Sequence, residues 1–201
     1  MGVAEIIAMA ASFSLLAGWR LYAAVLVAGL AMHFDVIALP EQLQSLQVLG
    51  SPWIIGIAAI GAVAEFFADK IAWLDSAWDG VHSIMRPMGG AILALAIVDP
   101  GEPVWQVATL LLGGGSALLS HGAKATARVS INMSPEPVSN IVMSSAEDVA
   151  TTGAFALALT NPFIALAFIA IILLLMVGVV VAFRRFVKDI GSIFRKDGPA
   201  G

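Results

Sequence analysis

Long apolar stretches, separated by short polar linkers, dominate the chain. A helix that crosses a bilayer needs about 20 mostly apolar residues, because the hydrocarbon layer is about 30 Å thick and a helix rises about 1.5 Å per residue. Six stretches approach this length, and they cover residues 4–32, 52–68, 84–98, 103–120, 138–160 and 162–183. The pattern predicts an all-α, polytopic membrane bundle with about six crossings, some of them broken or re-entrant.

Two of these stretches carry interruptions. The first is long enough to cross with tilt or to break near Gly18, and the third is short, with Pro87 and Gly89-Gly90 at its start. An interrupted helix is tolerated at membrane depth only where other helices or enclosed water satisfy the freed backbone groups. Small residues recur at Ala10, Ser14 and Gly18, and this spacing predicts close helix packing.

Composition agrees with a lipid environment. Of the 201 residues, 60% are hydrophobic and 12% are charged, and this charged share is about half that of a soluble domain. This number of charged side chains is too small to cover the surface of a soluble protein. The composition therefore excludes soluble globular domains, nucleic-acid-binding proteins and disordered chains. The absence of cysteine excludes disulfides, thiolate metal sites and cysteine nucleophiles.

The distribution of Lys and Arg predicts the orientation. Five of the ten lie in residues 184–201, and linkers 69–83 and 121–137 carry three more, whereas linkers 33–51 and 99–102 carry acidic residues only. The positive-inside rule therefore puts the tail, both basic linkers and both termini in the cytoplasm, as in a multi-pass protein of the bacterial inner membrane. Residues 1–183 would form one transmembrane domain and residues 184–201 a basic cytoplasmic tail.

The turn-rich segment 99–103 divides the predicted domain into halves of three crossings, residues 1–98 and 103–183. An odd number of crossings means that the second half enters from the opposite face, as in an inverted repeat. The alternative is a six-helix bundle without internal symmetry. A small bundle often needs a second copy to enclose a path, so we expect a homodimer or other homo-oligomer in the lipid bilayer.

Ionisable residues concentrate in and beside these stretches. At membrane depth each costs at least ~2.5–3.5 kcal/mol, so such residues pair, line cavities or act on a ligand. The candidates for binding a substrate or ion are Glu65, Asp69, Lys70, Asp75, Asp79, His82, Arg86, His121, Lys124, Arg128, Asn132, Asn140, Glu147 and Asp148. Glu65 and Asp69 are one helical turn apart, either as an anchoring charge cluster at the lipid interface or as a functional pair, and Lys70 is a partner for either.

Two helical stripes stand out in this set. Asp75, Asp79, His82 and Arg86 fall within an arc of about 60° on a helix, and the first three would suit a divalent metal such as manganese or zinc. The alternative is a solvated stripe on the membrane surface. The second stripe is basic, and it faces either inward, toward an anion or these carboxylates, or outward, toward lipid phosphates. Its members are His121, Lys124, Arg128 and Asn132.

Glu147-Asp148 gives the strongest single signal, because it lies in the middle of an apolar stretch. Adjacent residues point about 100° apart on a helix, so at least one carboxylate should face the protein interior. Arg20 interrupts the first stretch, and we expect it to lie deep with a carboxylate partner rather than at the interface.

These motifs together resemble a known family. Glu65-x3-Asp69-Lys70, Asp75-x2-Trp78-Asp79-x2-His82, Arg86-Pro87, the basic stripe, Ser139-Asn140 and Glu147-Asp148 are similar to the bacterial membrane proteins grouped as domain of unknown function 4126 (DUF4126). The resemblance covers roughly residues 10–175. It implies a small polytopic membrane protein and names no substrate.

Three functions remain open from the sequence. Ionisable residues on broken helices in two halves favour a transporter of an ion or small charged solute. A membrane-embedded enzyme or flippase for a lipid phosphate is the second, and a non-catalytic membrane subunit held together by ion pairs is the third. The sequence contains neither Gly-x-Ser-x-Gly nor His-Glu-x-x-His. An enzyme is less favoured than a transporter, because the ionisable residues on broken helices are typical of transport sites.

Overall fold

The computed structural model describes residues 2–34, 47–98, 101–132 and 138–196, without the side chains of residues 132, 186–187 and 189–196. This part of the chain forms seven α-helices and no strand, which confirms the all-α class. The helices are α1 (Val3–Trp19), α2 (Leu21–His33), α3 (Pro52–Ala68), α4 (Ala72–Val98), α5 (Pro103–Asn132), α6 (Val138–Thr160) and α7 (Pro162–Lys196).

Two of the described helices are long and apolar enough to cross a membrane: α4, and α7 over Pro162–Arg185. The helices α1, α2 and α3 are apolar but shorter. Large hydrophobic side chains lie exposed around the outside, among them Trp53, Ile60, Leu111 and Leu174. An apolar exterior of this extent fits a lipid environment better than water.

The first predicted stretch is broken at Arg20. Its backbone angles, φ −142° and ψ 80°, are not helical, so α1 ends at Trp19 and α2 begins at Leu21. The predicted break near Gly18 is therefore found two residues further on. Beyond the break, α2 packs mainly on α3, whereas α1 packs on α4, α5 and α7.

Most of each predicted basic linker is part of a helix. Residues 72–83 are the first part of α4, and residues 121–132 are the last part of α5. Neither helical segment lies apart from the bundle, because its polar residues recur at helical spacing and meet partners on other helices. Pro87 is accommodated inside α4 without ending it. Residues 133–137 of the second linker lie outside the described residues.

Glycines allow α1, α4 and α5 to cross closely. A Cβ atom at Gly18 would overlap the backbone carbonyl of Ala117, and one at Gly113 would overlap Ala94 and lie 2.8 Å from the carbonyl oxygen of Gly90. Ser14 adds a hydrogen bond from its hydroxyl to that same Gly90 oxygen, at 3.0 Å. The prediction of close packing through small residues is confirmed at these crossings.

Residues 184–196 continue α7. The helix runs from Pro162 to Lys196 without a break at residue 184. Arg184, Arg185 and Lys188 are exposed on it. Residues 197–201 of the predicted tail and residues 99–100 between the predicted halves lie outside the described residues.

Candidate functional site: a buried ionic cluster

Among the described residues, eight ion pairs join side chains from four helices and two interhelical segments inside the bundle. We call this set the ionic cluster. Its acidic members are Glu65, Asp69, Asp75, Asp79, Glu147 and Asp148, and its basic members are Arg20, Lys70, Arg86, Lys124 and Arg128. Nine of the eleven are buried, all but Lys70 and Asp148. Side chains that are far apart in sequence thus meet in one polar region of an otherwise apolar molecule.

Arg86 organises one part of the cluster, which we call the Arg86 group. Its guanidinium donates to Glu65 Oε1 at 2.9 Å and to Asp79 Oδ1 at 2.8 Å, and Arg86 and Glu65 are fully buried. The same guanidinium also contacts His121 Nδ1 at 2.8 Å. One cation is therefore shared by two carboxylates and an imidazole, which fixes the planar guanidinium from three sides.

The hydrogen bonds of His121 define its protonation. Arginine has only donors, so the Nδ1 atom that faces Arg86 accepts, and the proton of the neutral ring lies on Nε2. That Nε2 atom donates to the hydroxyl of Ser83 at 3.2 Å, and the hydroxyl donates to the backbone oxygen of Asp79 at 2.9 Å. His121 therefore adds no charge to the Arg86 group.

Asp69, in the turn between α3 and α4, organises the second part, which we call the Asp69 group. Its Oδ2 atom lies 2.8 Å from Arg20 and 2.9 Å from Lys124. Arg20 reaches on to Asp148 Oδ1 at 2.6 Å, and Lys70 contacts Asp148 Oδ2 at 2.9 Å. The expectation that Arg20 lies deep with a carboxylate partner is confirmed.

The two cations control the ionisation of Asp69. Burial alone would raise the pKa of this carboxyl, but the ammonium of Lys124 and the guanidinium of Arg20 outweigh burial and lower the pKa to about 2. Asp69 therefore stays ionised at any physiological pH and holds both cations in place.

Broken backbone segments supply further ligands for the cations. At the α1–α2 break, the carbonyl oxygen of Trp19 accepts from Lys124 Nζ at 3.4 Å. At the α3–α4 turn, the carbonyl oxygen of Asp69 accepts from Arg128 and, at 3.4 Å, from Asn140 Nδ2. Side chains thus satisfy carbonyls that a continuous helix would satisfy itself, as interrupted helices at membrane depth require.

Arg128 connects this turn to α4 and α6. Its Nε atom lies 3.1 Å from Asp75 Oδ2, and its guanidinium also donates to the backbone oxygen of Asn140 at 3.3 Å. The inward orientation of the basic stripe is confirmed for His121, Lys124 and Arg128, which face the carboxylates of the first half. The side chain of Asn132, the fourth member of the predicted stripe, lies outside the described residues.

Two predictions about the acidic residues of the first half need correction. Lys70 pairs with neither Glu65 nor Asp69 but with Asp148 on α6, because the other two carboxylates are buried and already hold arginine or lysine. Glu65 and Asp69 are fully buried, so they do not form an anchoring charge cluster at the lipid interface.

The stripe on α4 is buried rather than solvated, but its members do not form a metal site. Asp75 pairs with Arg128, Asp79 pairs with Arg86, and the described residues contain no group of three metal-ligating side chains. His82 instead donates from Nδ1 to the backbone oxygen of Trp78 at 2.8 Å, stacks on that indole, and contacts the Tyr22 hydroxyl at 3.2 Å through Nε2. Each carboxylate thus forms an ion pair with a different arginine, so the proposed metal ligands do not converge on one ion.

Glu147 is the member of the cluster with the weakest partner. It is 7% exposed, and neither carboxylate oxygen has a hydrogen-bond partner among the described residues. The nearest cation is Lys124, whose Nζ lies 4.0 Å from Glu147 Oε2 but only 2.9 Å from Asp69. The prediction that at least one carboxylate of the Glu147-Asp148 pair faces inward is confirmed.

Some contributors to the region are absent from the predicted site. Arg20 lies at its centre, and its only sequence signal is a charge inside an apolar stretch. Ser83 and Ser144 contact His121 and Lys70, at 3.2 Å and 3.3 Å, and Tyr22 contacts His82. Hydroxyl side chains are common in membrane helices, so no pattern in the sequence separates these from the rest.

A cavity of about 230 Å³ adjoins the cluster between α4 and α5. Asp75, Asp79, Ser83 and Arg128 are among its lining residues. The ion pair between Asp75 and Arg128 therefore borders a space between these two helices.

Comparison with known proteins identifies the family but no relative with an assigned role. No curated protein and no solved structure matches the chain. The model of one family, described as "Domain of unknown function (DUF4126)", matches residues 7–182. This match covers most of the chain and includes every helix that contributes to the ionic cluster, and the chain therefore belongs to the DUF4126 family.

Proposed function

We propose that this protein is an integral membrane carrier that moves an ion or small charged solute through the ionic cluster. The observation that carries the proposal is the burial of nine ionisable side chains in one connected region of a small bundle with an apolar exterior. Charges in such a place are costly, and in membrane proteins they mark ion and solute pathways.

The interrupted α1–α2 helix adds support. Carriers commonly bind their cargo where helices are broken and backbone carbonyls point at the site. Here the carbonyl of Trp19 at the break faces Lys124, and Lys124 also contacts Asp69 in the α3–α4 turn. A change in the ion pairs of Lys124 would therefore act directly on the break and on this turn.

A lipid-phosphate enzyme or flippase fits the same geometry less well. Gripping a phosphate requires arginine or lysine side chains that are free to bind it. Arg86, Lys124 and Arg128 each contact a carboxylate within 3.1 Å. The excess of carboxylates over cations in the cluster favours a cation over an anion as the cargo.

For the topology, we propose six crossings, with α1 and α2 together as one broken crossing and α3 to α7 as the other five. Both termini then lie in the cytoplasm of a bacterial cell, next to the basic end of α7. The three crossings on each side of residues 99–102 would form the two halves of an inverted repeat, and two copies would associate in the membrane.

The proposal is tested by reconstituting the purified full-length chain into liposomes and measuring uptake of protons, Na⁺, K⁺, Mn²⁺, Zn²⁺ and inorganic phosphate separately. We expect uptake of at least one cation above that of protein-free liposomes, and we expect Asp148→Asn to reduce it. Glu102→Gln is the matched control, because Glu102 is exposed and lies outside the cluster. Absence of uptake for every probe would contradict a carrier and favour a cluster that only holds the helices together.

A further inference from the structure

The ionic cluster contains six carboxylates and five cations, so its charges do not balance. His121 does not supply the missing positive charge, because its Nδ1 atom accepts from Arg86 and the ring is neutral. If all six carboxylates were ionised, one negative charge would be buried without compensation. A buried carboxylate in that position takes up a proton instead.

The contacts identify which carboxylate is left over. Glu65, Asp69, Asp75 and Asp79 each lie within 3.1 Å of an arginine or lysine nitrogen, and Asp148 lies within 2.9 Å of two. Glu147 has only Lys124, at 4.0 Å, and no hydrogen bond to either oxygen.

The charged surroundings of Glu147 are mixed. Lys124 and Arg128 face it from α5, Arg20 from the α1–α2 break, and Asp69 from the α3–α4 turn. Asp148 directly follows Glu147 on α6 and pairs with Arg20 and Lys70, and the described charged side chains of α7 are exposed. The cations nearest to Glu147 are already bound to other carboxylates and make no hydrogen bond to it, so its ionised form is less well stabilised than that of the other five carboxylates.

We propose that Glu147 carries an exchangeable proton and that H⁺ is the cation which the carrier moves or uses to drive its cargo. This inference rests on the proposed function and names its ion. In the arrangement described, Glu147 is a neutral carboxylic acid, and Lys124 is bound to Asp69.

Release of the proton from Glu147 changes the contacts that Lys124 makes at the α1–α2 break. The O–H bond of the acid breaks, the proton passes to water, and the carboxylate remains 4.0 Å from Lys124 Nζ. The ammonium then has two competing carboxylates, and movement toward Glu147 withdraws it from Asp69 and from the carbonyl of Trp19. Protonation of Glu147 restores the first arrangement, so each cycle binds and releases one proton.

Infrared difference spectroscopy tests the protonation independently of transport. We expect a carboxylic-acid C=O band in the wild-type protein at neutral pH that is lost in Glu147→Gln. Glu147→Asp should retain a band at a shifted position. A spectrum without the band, or one that is the same in wild type and Glu147→Gln, would overturn the inference.

Proton flux tests the role in transport. Liposomes that contain the full-length protein and a trapped pH-sensitive dye are driven with a K⁺ diffusion potential set by valinomycin. We expect lumenal acidification with wild type, loss of it to the protein-free level with Glu147→Gln, a partial rate with Glu147→Asp, and the wild-type rate with Glu102→Gln. Monodisperse size-exclusion profiles and unchanged helix content by circular dichroism establish that each variant is folded.

The two proposals fail in different ways. Uptake of another ion that is independent of pH and unchanged in Glu147→Gln would overturn the proton site and leave the carrier intact. Absence of flux for every probe would overturn the carrier, and with it the transport role of Glu147.

Discussion

The two parts of the ionic cluster pair their buried charges in opposite arrangements. In the Arg86 group, one fully buried cation is shared by the carboxylates of Glu65 and Asp79. In the Asp69 group, one fully buried carboxylate is shared by the cations of Arg20 and Lys124. The first group thus places two carboxylates around one cation, and the second places two cations around one carboxylate.

The two groups differ in how freely their side chains can exchange ion-pair partners. Arg86 has short contacts on three sides and is fully buried, so it has little freedom to exchange partners. The Asp69 group extends to Lys70 and Asp148, which are 21% and 24% exposed, and Glu147 lies 4.0 Å from its Lys124, the longest of the ion-pair distances in the cluster. We therefore regard the Arg86 group as the fixed part of the site and the Asp69 group as the part that can rearrange.

Removing Arg86 should have the largest effect. Arg86→Ala leaves Glu65 and Asp79 buried without their common cation, and loss of one partner from a buried ion pair costs about 3–5 kcal/mol. We expect a large drop in the free energy of unfolding in detergent, or failure to accumulate in the membrane. A stability within about 1 kcal/mol of wild type would show that the Arg86 group is not the fixed part.

The same substitution at two buried glutamates compares the groups directly. Glu65→Gln removes a charge that accepts from Arg86 at 2.9 Å, and hydrogen bonds to charged groups contribute about 1.5–3 kcal/mol. Glu147→Gln replaces a neutral acid by a neutral amide of similar volume and should change the unfolding free energy by about 1 kcal/mol or less. Equal losses in thermal unfolding would contradict the neutral state of Glu147.

Acid should weaken the Asp69 group. The pKa of Asp69 is lowered to about 2 in the folded protein, so its contribution to stability is complete above the ordinary pKa of an aspartate and is lost as the pH falls through the folded value. Wild type should therefore lose stability between about pH 4 and pH 2, and Asp69→Asn, which is less stable at neutral pH, should lose less over that window. Parallel pH curves for the two proteins would contradict this assignment.

The smallest effect on stability is expected at the partly exposed edge. Lys70→Ala removes the 2.9 Å contact with Asp148, but Arg20 still holds that carboxylate at 2.6 Å. Exposed ion pairs contribute about 1 kcal/mol or less, so thermal unfolding should shift slightly and should do so less at high salt. A shift as large as that of Arg86→Ala would remove the distinction between a fixed group and a looser edge.

The sequence identifies the charged residues of the ionic cluster more reliably than it identifies their ion-pair partners. Charges inside apolar stretches are costly wherever they point, so Arg20, Glu65 and Glu147 stand out without any structure. The pairing of Lys70 with Asp148 joins residues 78 positions apart and depends on how the α3–α4 turn packs against α6. Local spacing contains no information about that packing, and it therefore favours nearer partners.

Helical periodicity identifies the buried face of α4, but the hydropathy pattern does not identify the residue at which this helix begins. The arc that contains Asp75, Asp79, His82 and Arg86 is the buried face of α4, as one of the two interpretations requires. The start of the third stretch at residue 84 was wrong, since the helix begins at Ala72. Hydropathy alone ends a helix where polar residues begin, whereas here those residues continue the helix and are satisfied by neighbouring elements.

The glycine crossings determine where motion is available to this molecule. Because Gly18 and Gly113 bring backbones of α1, α4 and α5 into direct contact, these three helices can slide or tilt very little without steric overlap. The helix α6 has no comparable crossing glycine, since Gly153 faces open space. Movement of α6, which carries both Glu147 and Asp148, against this three-helix frame therefore meets less steric hindrance than movement within the frame.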